Sequence, residues 1–101
     1  MKFNKVEGNI LKVSSISDPA KVGGAIANIM KEEYAKCGNR ASVELRALGA
    51  QAVSQAVKSV IIARGFLATA GMNIYCIPAY IDDDVNGEKK SITKFTIRTE
   101  V

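Results

Sequence analysis

A continuous run from Gly49 to Pro78 constrains the fold most strongly; it reads GAQAVSQAVKSVIIARGFLATAGMNIYCIP. Its first two thirds repeat apolar residues at helical spacing, which predicts one amphipathic helix that covers a sheet. A turn at Ala70-Gly71 follows, and an apolar strand begins at Met72. Helix, turn and strand in this order indicate an α+β domain.

The predicted helix has an apolar core face and a polar opposite face. The core face comprises Val53, Ala56, Val57, Val60, Ile61, Ala63 and Leu67. The polar face comprises Gln51, Gln55, Lys58 and Ser59. Arg64 and Gly65 indicate the helix end, because a cation suits the C-terminal dipole and glycine the left-handed conformation. Ile62 and Phe66 add apolar surface to the outer face, either as ordinary exposure or as a subunit contact.

The remaining segments complete the order β-α-β-α-β-β. Asn9–Ser15 is the first predicted strand, and Pro19–Lys36 is the first helix, with Asp18 as its N-cap. Ala41–Leu48 alternates apolar and polar residues, which is typical of a sheet covered on one face only. Ser91–Arg98 alternates in the same way and is the last predicted strand.

Gly23-Gly24 lies inside the predicted first helix. Each glycine costs about 1 kcal/mol of helix stability relative to alanine. Such a cost indicates either close backbone packing or close approach of a ligand at this point. The buried face of this helix is predicted to carry Val22, Ile26, Ile29 and Met30.

The connections predict the topology of the sheet. Two strands joined by a helix should be parallel with a right-handed crossover, so both helices cover the same face and give two layers. Asn86-Gly87 predicts a hairpin that makes the last strand antiparallel to the third, Met72–Ile81. Pro78 cannot donate a ladder hydrogen bond, which places the third strand at a sheet edge. We therefore predict a single domain over residues 1–101, with 1–8 as a tail or a short extra strand.

The composition limits the chemistry. The chain has no histidine, which removes the commonest general base and leaves only cysteines and carboxylates as strong metal ligands. Cys37 and Cys76 lie on different predicted elements, and we expect no disulfide between them in a reducing compartment. Asp82-Asp83-Asp84 is interpreted as solvated loop charge rather than as a metal loop. We expect no catalytic site, no metal and no cofactor.

The charge and the apolar pattern limit the kinds of partner that the protein can have. No apolar run approaches the ~20 residues of a membrane span, and the N-terminal segment lacks the apolar core of a secretory signal. We therefore expect a cytoplasmic protein with no membrane contact. The net charge of +4 and the pI near 9.2 favour anionic partners.

Basic residues collect on the face of the sheet that the helices leave uncovered. Alternation along the strands places Lys12, Arg46, Lys94 and Arg98 there, with Glu44 as the one acid among them. Like charges on neighbouring strands are unfavourable unless an anion binds them, and this predicts an anion-binding face. The other interpretation is a solvated face on which the long side chains splay apart.

Two further candidate sites lie near turns. Lys89 and Lys90 flank the predicted hairpin, although Glu88 and the three aspartates nearby cancel much of their charge. Gly49 begins the second helix, where free backbone N–H groups and the helix dipole suit a phosphate.

The third predicted strand is apolar on both faces, and an apolar edge strand invites contact with another chain. Tyr75 and Ile77 on this strand, with Ile62 and Phe66 on the helix, form the predicted oligomer interface. We expect at least a homodimer.

Three segments carry a family resemblance: ILKVSSISDPAKVGGAIANIM, GAQAVSQAVKSVIIARGF and CIPAY. They closely resemble the stage V sporulation protein S family of bacteria, over roughly Asn9 to Arg98. That family is similar in fold to Alba, the small dimeric chromatin- and RNA-binding proteins. The resemblance implies an Alba-like two-layer fold with sheet order 1-2-4-3 and the third strand at the edge.

The resemblance also implies a function. It indicates a non-catalytic regulatory protein that binds the phosphate backbone of DNA or RNA without sequence specificity, in the cytoplasm and on the nucleoid. The alternative is a protein-interaction module in sporulation or cell division that does not bind nucleic acid. Two departures from Alba bear on this choice, since the hairpin here is rich in acids and Ser17-Asp18 replaces paired lysines before the first helix.

Overall fold

The predicted order β-α-β-α-β-β is present in the computed structural model, which describes residues 4–5 and 9–100, and a two-residue strand precedes it. The strands are β1 (Asn4–Lys5), β2 (Ile10–Val13), β3 (Ser42–Ala47), β4 (Asn73–Val85) and β5 (Glu88–Glu100). The helices are α1 (Pro19–Cys37) and α2 (Ala50–Ala68), with a 3₁₀ turn at Gly38–Arg40 after α1. Most of the expected tail, residues 1–8, lies outside the described residues.

The sheet has the order β1-β2-β3-β5-β4. β2 and β3 are parallel, whereas β5 is antiparallel to both β3 and β4. The four main strands therefore have the predicted order 1-2-4-3, and β4, which contains Pro78, lies at the edge as predicted. The two-residue β1 pairs with β2 at the opposite edge.

β4 and β5 form a hairpin that is longer than predicted. β4 continues past Ile81 to Val85, and the turn that follows has two left-handed residues, Asn86 with φ 53° and Gly87 with φ 81°. The aspartates that were predicted to form a loop are strand residues, and two of them pair with lysines across the ribbon: Asp83 with Lys90 and Asp84 with Lys89. Opposite charges at paired positions stabilise a ribbon, which explains the extension.

The predicted start of α1 and its buried face are confirmed. The Asp18 carboxylate accepts a hydrogen bond from the Ala20 N–H at 3.0 Å, and Pro19 is the first helical residue. Val22, Ile26, Ile29 and Met30 are all buried against the sheet and α2. These side chains form one core with residues from β2, β3, β4 and β5.

The predicted end of α2 at Gly65 is wrong, because the helix continues to Ala68. The extra turn places Leu67 in the core with no exposed surface. Burying a leucine contributes about 1.5–3 kcal/mol, which exceeds the cost of about 1 kcal/mol for one helical glycine. The left-handed glycine that follows the helix is Gly71, with φ 78°.

The predicted core face of α2 is also partly wrong. The buried residues are mostly small: Ala52, Ala56, Ser59, Ala63 and Leu67. Ser59, predicted to be exposed, is buried and donates its hydroxyl hydrogen bond to the Gln55 carbonyl oxygen at 2.7 Å. Val57 and Ile61, predicted to be buried, are exposed.

The choice of which face of α2 is buried follows from the close contact of this helix with α1. A Cβ atom at Gly23 would lie 2.8 Å from Ile62 Cγ2 and 3.0 Å from the Ser59 carbonyl oxygen. Gly23 therefore serves close backbone packing, one of the two uses predicted for the glycine pair. A Cβ atom at Gly24 would meet nothing within 4 Å.

Candidate nucleic-acid interface

The strand register places three basic residues in one row across the uncovered face. Lys12 on β2 pairs with Arg46 on β3, and Arg46 pairs with Lys94 on β5. Neighbouring strands lie about 4.8 Å apart, so these side chains start close together. Arg98 is on the same face of β5, four residues beyond Lys94, and is exposed.

Arg46 is held by two carboxylates. Its Nε lies 2.6 Å from Glu44 Oε2, and one terminal nitrogen lies 4.0 Å from Asp83 Oδ2. The prediction that Glu44 is the one acid on this face is therefore wrong. The extension of β4 brings Asp83 there, and β5 continues past Arg98 to Glu100 on the same face. The charge of Arg46 is largely offset by Glu44 and Asp83.

The other three basic residues of this face are Lys12, Lys94 and Arg98. Within residues 4–5 and 9–100, none of the three forms an ion pair. Lys12 and Arg98 are exposed, and Lys94 is half-buried. The uncovered face is thus net positive, and its unpaired cations surround a neutralised arginine.

The tip of the β4–β5 hairpin, residues 82–90, is not part of this basic row. Lys90 Nζ lies 3.1 Å from Glu88 Oε1, and Lys89 pairs across the ribbon with Asp84. The tip carries more acids than lysines, so its net charge is negative. Lys89 and Lys90, which were predicted to bind nucleic acid, therefore lie in a hairpin tip whose net charge is negative.

Gly49 is also separate from the basic row. It has φ 93° at the start of α2 and borders an open groove of about 930 Å³ on the helix side of the sheet. The groove is mainly apolar, and Val53, Val57, Pro78, Tyr80 and Phe95 line it. The helix N-terminus therefore faces a different surface from the lysines and arginines.

The four residues predicted as one oligomer interface lie on two surfaces. Tyr75 and Ile77 are on the uncovered face, where they are 45% and 49% exposed. Phe66 is exposed in the helix layer, and Ile62 is half-buried against α1 beside Gly23. A single flat contact cannot include all four side chains.

Sequence reasoning missed the exposed apolar side chains on the helix side. Ile61 is 64% exposed and Tyr80 is 78% exposed, and Val57 lies between them beside the groove. The alanines of α2 could have indicated this exposure. The small residues Ala52, Ala56 and Ala63 mark the face of the helix that packs most closely against the rest of the domain. Bulky residues elsewhere on the helix then remain outside.

The Cys76 thiol is half-buried, and the three aspartates of β4 lie on both faces of the strand. Burial raises the pKa of the Cys76 thiol, so it stays protonated and is a poor nucleophile at neutral pH. Asp82 and Asp84 lie on one face of β4 and Asp83 on the other, because successive strand residues alternate. Across the part of the chain that the structure describes, no group of three potential metal-ligating residues occurs.

Together these features define a small two-layer α+β domain with a basic, uncovered sheet face. Residues 9–100 match the family model of Stage V sporulation protein S (SpoVS), nearly the whole chain. The chain belongs to this family, which confirms the resemblance and associates the protein with stage V of sporulation. Neither helix in the described ranges is long and apolar enough to cross a membrane.

Proposed function

We propose that this protein is a non-catalytic regulator that binds DNA or RNA through the phosphate backbone, without sequence specificity, in the cytoplasm and on the nucleoid. The observation that carries the proposal is that, among the residues that the structure describes, Lys12, Lys94 and Arg98 form no ion pair on the uncovered sheet face. Lys12 and Lys94 lie on either side of Arg46, and Arg98 lies further along β5, so the three cations give this face a positive potential that favours a polyanion. The absence of histidine and the raised pKa of Cys76 support a non-catalytic role.

A titration with nucleic acid at several salt concentrations tests this function. Three phosphate contacts predict that log affinity falls with log salt at a slope of about −2.7 on duplex DNA and about −2.1 on single strands. We expect measurable binding at low salt that weakens along such a line. No binding to either DNA or RNA at low salt would rule the function out.

A second copy of the chain is proposed to cover the apolar surface on the helix side, defined by Val57, Ile61 and Tyr80. The exposure of Ile61 and Tyr80 is large for apolar side chains of this size. Tyr80 and Val57 line an apolar groove, and Ile61 follows Val57 by one turn of α2. This dimer leaves the basic face open. The same surface supports the alternative function, a protein-interaction module, if a different partner occupies it.

Ile61→Lys is expected to convert the dimer into a monomer, because it places a charge within the apolar contact. Sedimentation at micromolar concentration measures the change. Ile77→Lys is the matched control, since Ile77 is similarly apolar and exposed but lies on the uncovered face. Dissociation by Ile77→Lys but not by Ile61→Lys would move the interface to the other side of the sheet, and a monomeric wild type would refute the dimer.

A further inference from the structure

We infer that the uncovered face binds single-stranded nucleic acid, with a base stacked on Tyr75. This inference rests on the proposed function and specifies its ligand. The face carries an aromatic side chain directly beside an unpaired cation, because Tyr75 on β4 pairs with Arg98 on β5. Both side chains are exposed.

The basic residues and the apolar residues of this face lie on different strands. The cations stand on β2, β3 and β5, whereas the same face of β4 carries Tyr75, Ile77 and Ala79. Ile77 pairs with Thr96, and Ala79 pairs with Lys94, so each apolar residue has a polar or basic neighbour on β5. A strand of nucleic acid can therefore place its phosphates over β5 and its bases over the edge strand.

This arrangement favours a single strand over a duplex. In a duplex the base faces are stacked inside the helix, and a flat sheet reaches only phosphates and groove edges. In a single strand the base faces are free, and stacking on an aromatic side chain stabilises the complex for any base. A duplex would leave Tyr75 and Ile77 exposed to solvent at the edge of the contact.

The chain contains a matched control for Tyr75. Tyr34 on α1 is similarly exposed, 48% against 45%, and it lies in the helix layer outside the proposed dimer surface. A stacking role on the uncovered face requires Tyr75 and not Tyr34. A general effect of removing an exposed tyrosine would appear at both positions.

Fluorescence anisotropy of labelled oligothymidylate, and of its duplex with oligodeoxyadenylate, tests the inference when both ligands are titrated at the same series of salt concentrations. We expect tighter binding to the single strand. Tyr75→Ala should weaken single-strand binding about tenfold, within the range of base–aromatic stacking, and leave duplex binding and the salt slope unchanged. Tyr75→Phe should bind as the wild type does, and Tyr34→Ala should not change single-strand affinity.

A second readout uses tyrosine emission, because the chain has three tyrosines and no tryptophan. In a Tyr34→Phe/Tyr80→Phe background the emission comes from Tyr75 alone, and oligothymidylate should quench it. Binding without quenching, with Tyr75→Ala equal to the wild type, would overturn the stacking but leave the proposed function intact. A change of oligomeric state in Tyr75→Ala would show that a second copy covers this face, which also overturns the inference.

Discussion

The double variant Lys94→Glu/Arg98→Glu should lose nucleic-acid affinity by a factor on the order of 1,000 at low salt. Each cation near a phosphate contributes about 1 kcal/mol in water, and an acid at the same place costs a similar amount. Two reversals therefore remove about 4 kcal/mol, and each 1.4 kcal/mol is tenfold in affinity. Arg98 is exposed and Lys94 is half-buried on the uncovered face, so we expect circular dichroism to show an unchanged fold, and anisotropy measures the loss.

Arg46 provides the comparison that locates the contacts. Arg46→Gln and Arg98→Gln make the same change in net charge, but only Arg46 is held by Glu44 and Asp83. We expect Arg98→Gln to reduce the salt slope by about 0.7 on single strands or about 0.9 on duplex, and Arg46→Gln to leave the slope unchanged. An equal reduction in both variants would mean that phosphate displaces the two carboxylates and that Arg46 belongs to the site.

Much of this face could be predicted, because strands have a period of two and hairpin turns determine register. A two-residue turn at Asn86-Gly87 pairs Val85 with Glu88, and every later pair follows by counting outward. Counting alone places Tyr75 opposite Arg98. The alternation of Ala41–Leu48 likewise predicts that Arg46 shares a face with Lys94.

The ion pair between Arg46 and Asp83 could not be predicted in the same way. It joins residues on strands that are not neighbours, since β5 lies between β3 and β4. It depends on the length of the ribbon and on the twist that brings its tip towards β3, and neither is set by the spacing of residues. The acidic segment Asp82-Asp83-Asp84 resembled a loop because its strand propensity is low.

The buried face of α2 could not be predicted from the sequence for a different reason. Bulky apolar residues occur on several sides of this helix, so periodicity indicates a helix but does not select one buried face. Tertiary packing selects the face, because only small side chains fit where α1, α2 and the sheet approach most closely. Gly23 on α1 and Ser59 on α2 mark that contact, and the choice leaves Val57 and Ile61 exposed.

The two adjacent glycines of α1 should respond to alanine in opposite directions. Gly24→Ala meets open space within the helix and should raise the free energy of unfolding by about 1 kcal/mol. Gly23→Ala has the same propensity gain but forces a methyl group against Ile62 and the Ser59 carbonyl oxygen. Overpacking of this kind costs about 1–3 kcal/mol, so Gly23→Ala should be the less stable of the two by a similar amount.

Thermal unfolding distinguishes the two variants, since each kcal/mol shifts the Tm of a domain of about 100 residues by roughly 4–8 °C. Gly23→Ala/Ile62→Leu refines the comparison, because leucine lacks the Cγ2 atom that the new methyl group would meet. This double variant should recover part of the loss. The remainder reports the two contacts at 3.0 Å that leucine does not remove, with the Cβ atom of residue 62 and with the Ser59 carbonyl oxygen. Equal stability of Gly23→Ala and Gly24→Ala would mean that the helices separate at no cost, and Gly23 would then not determine which face of α2 is buried.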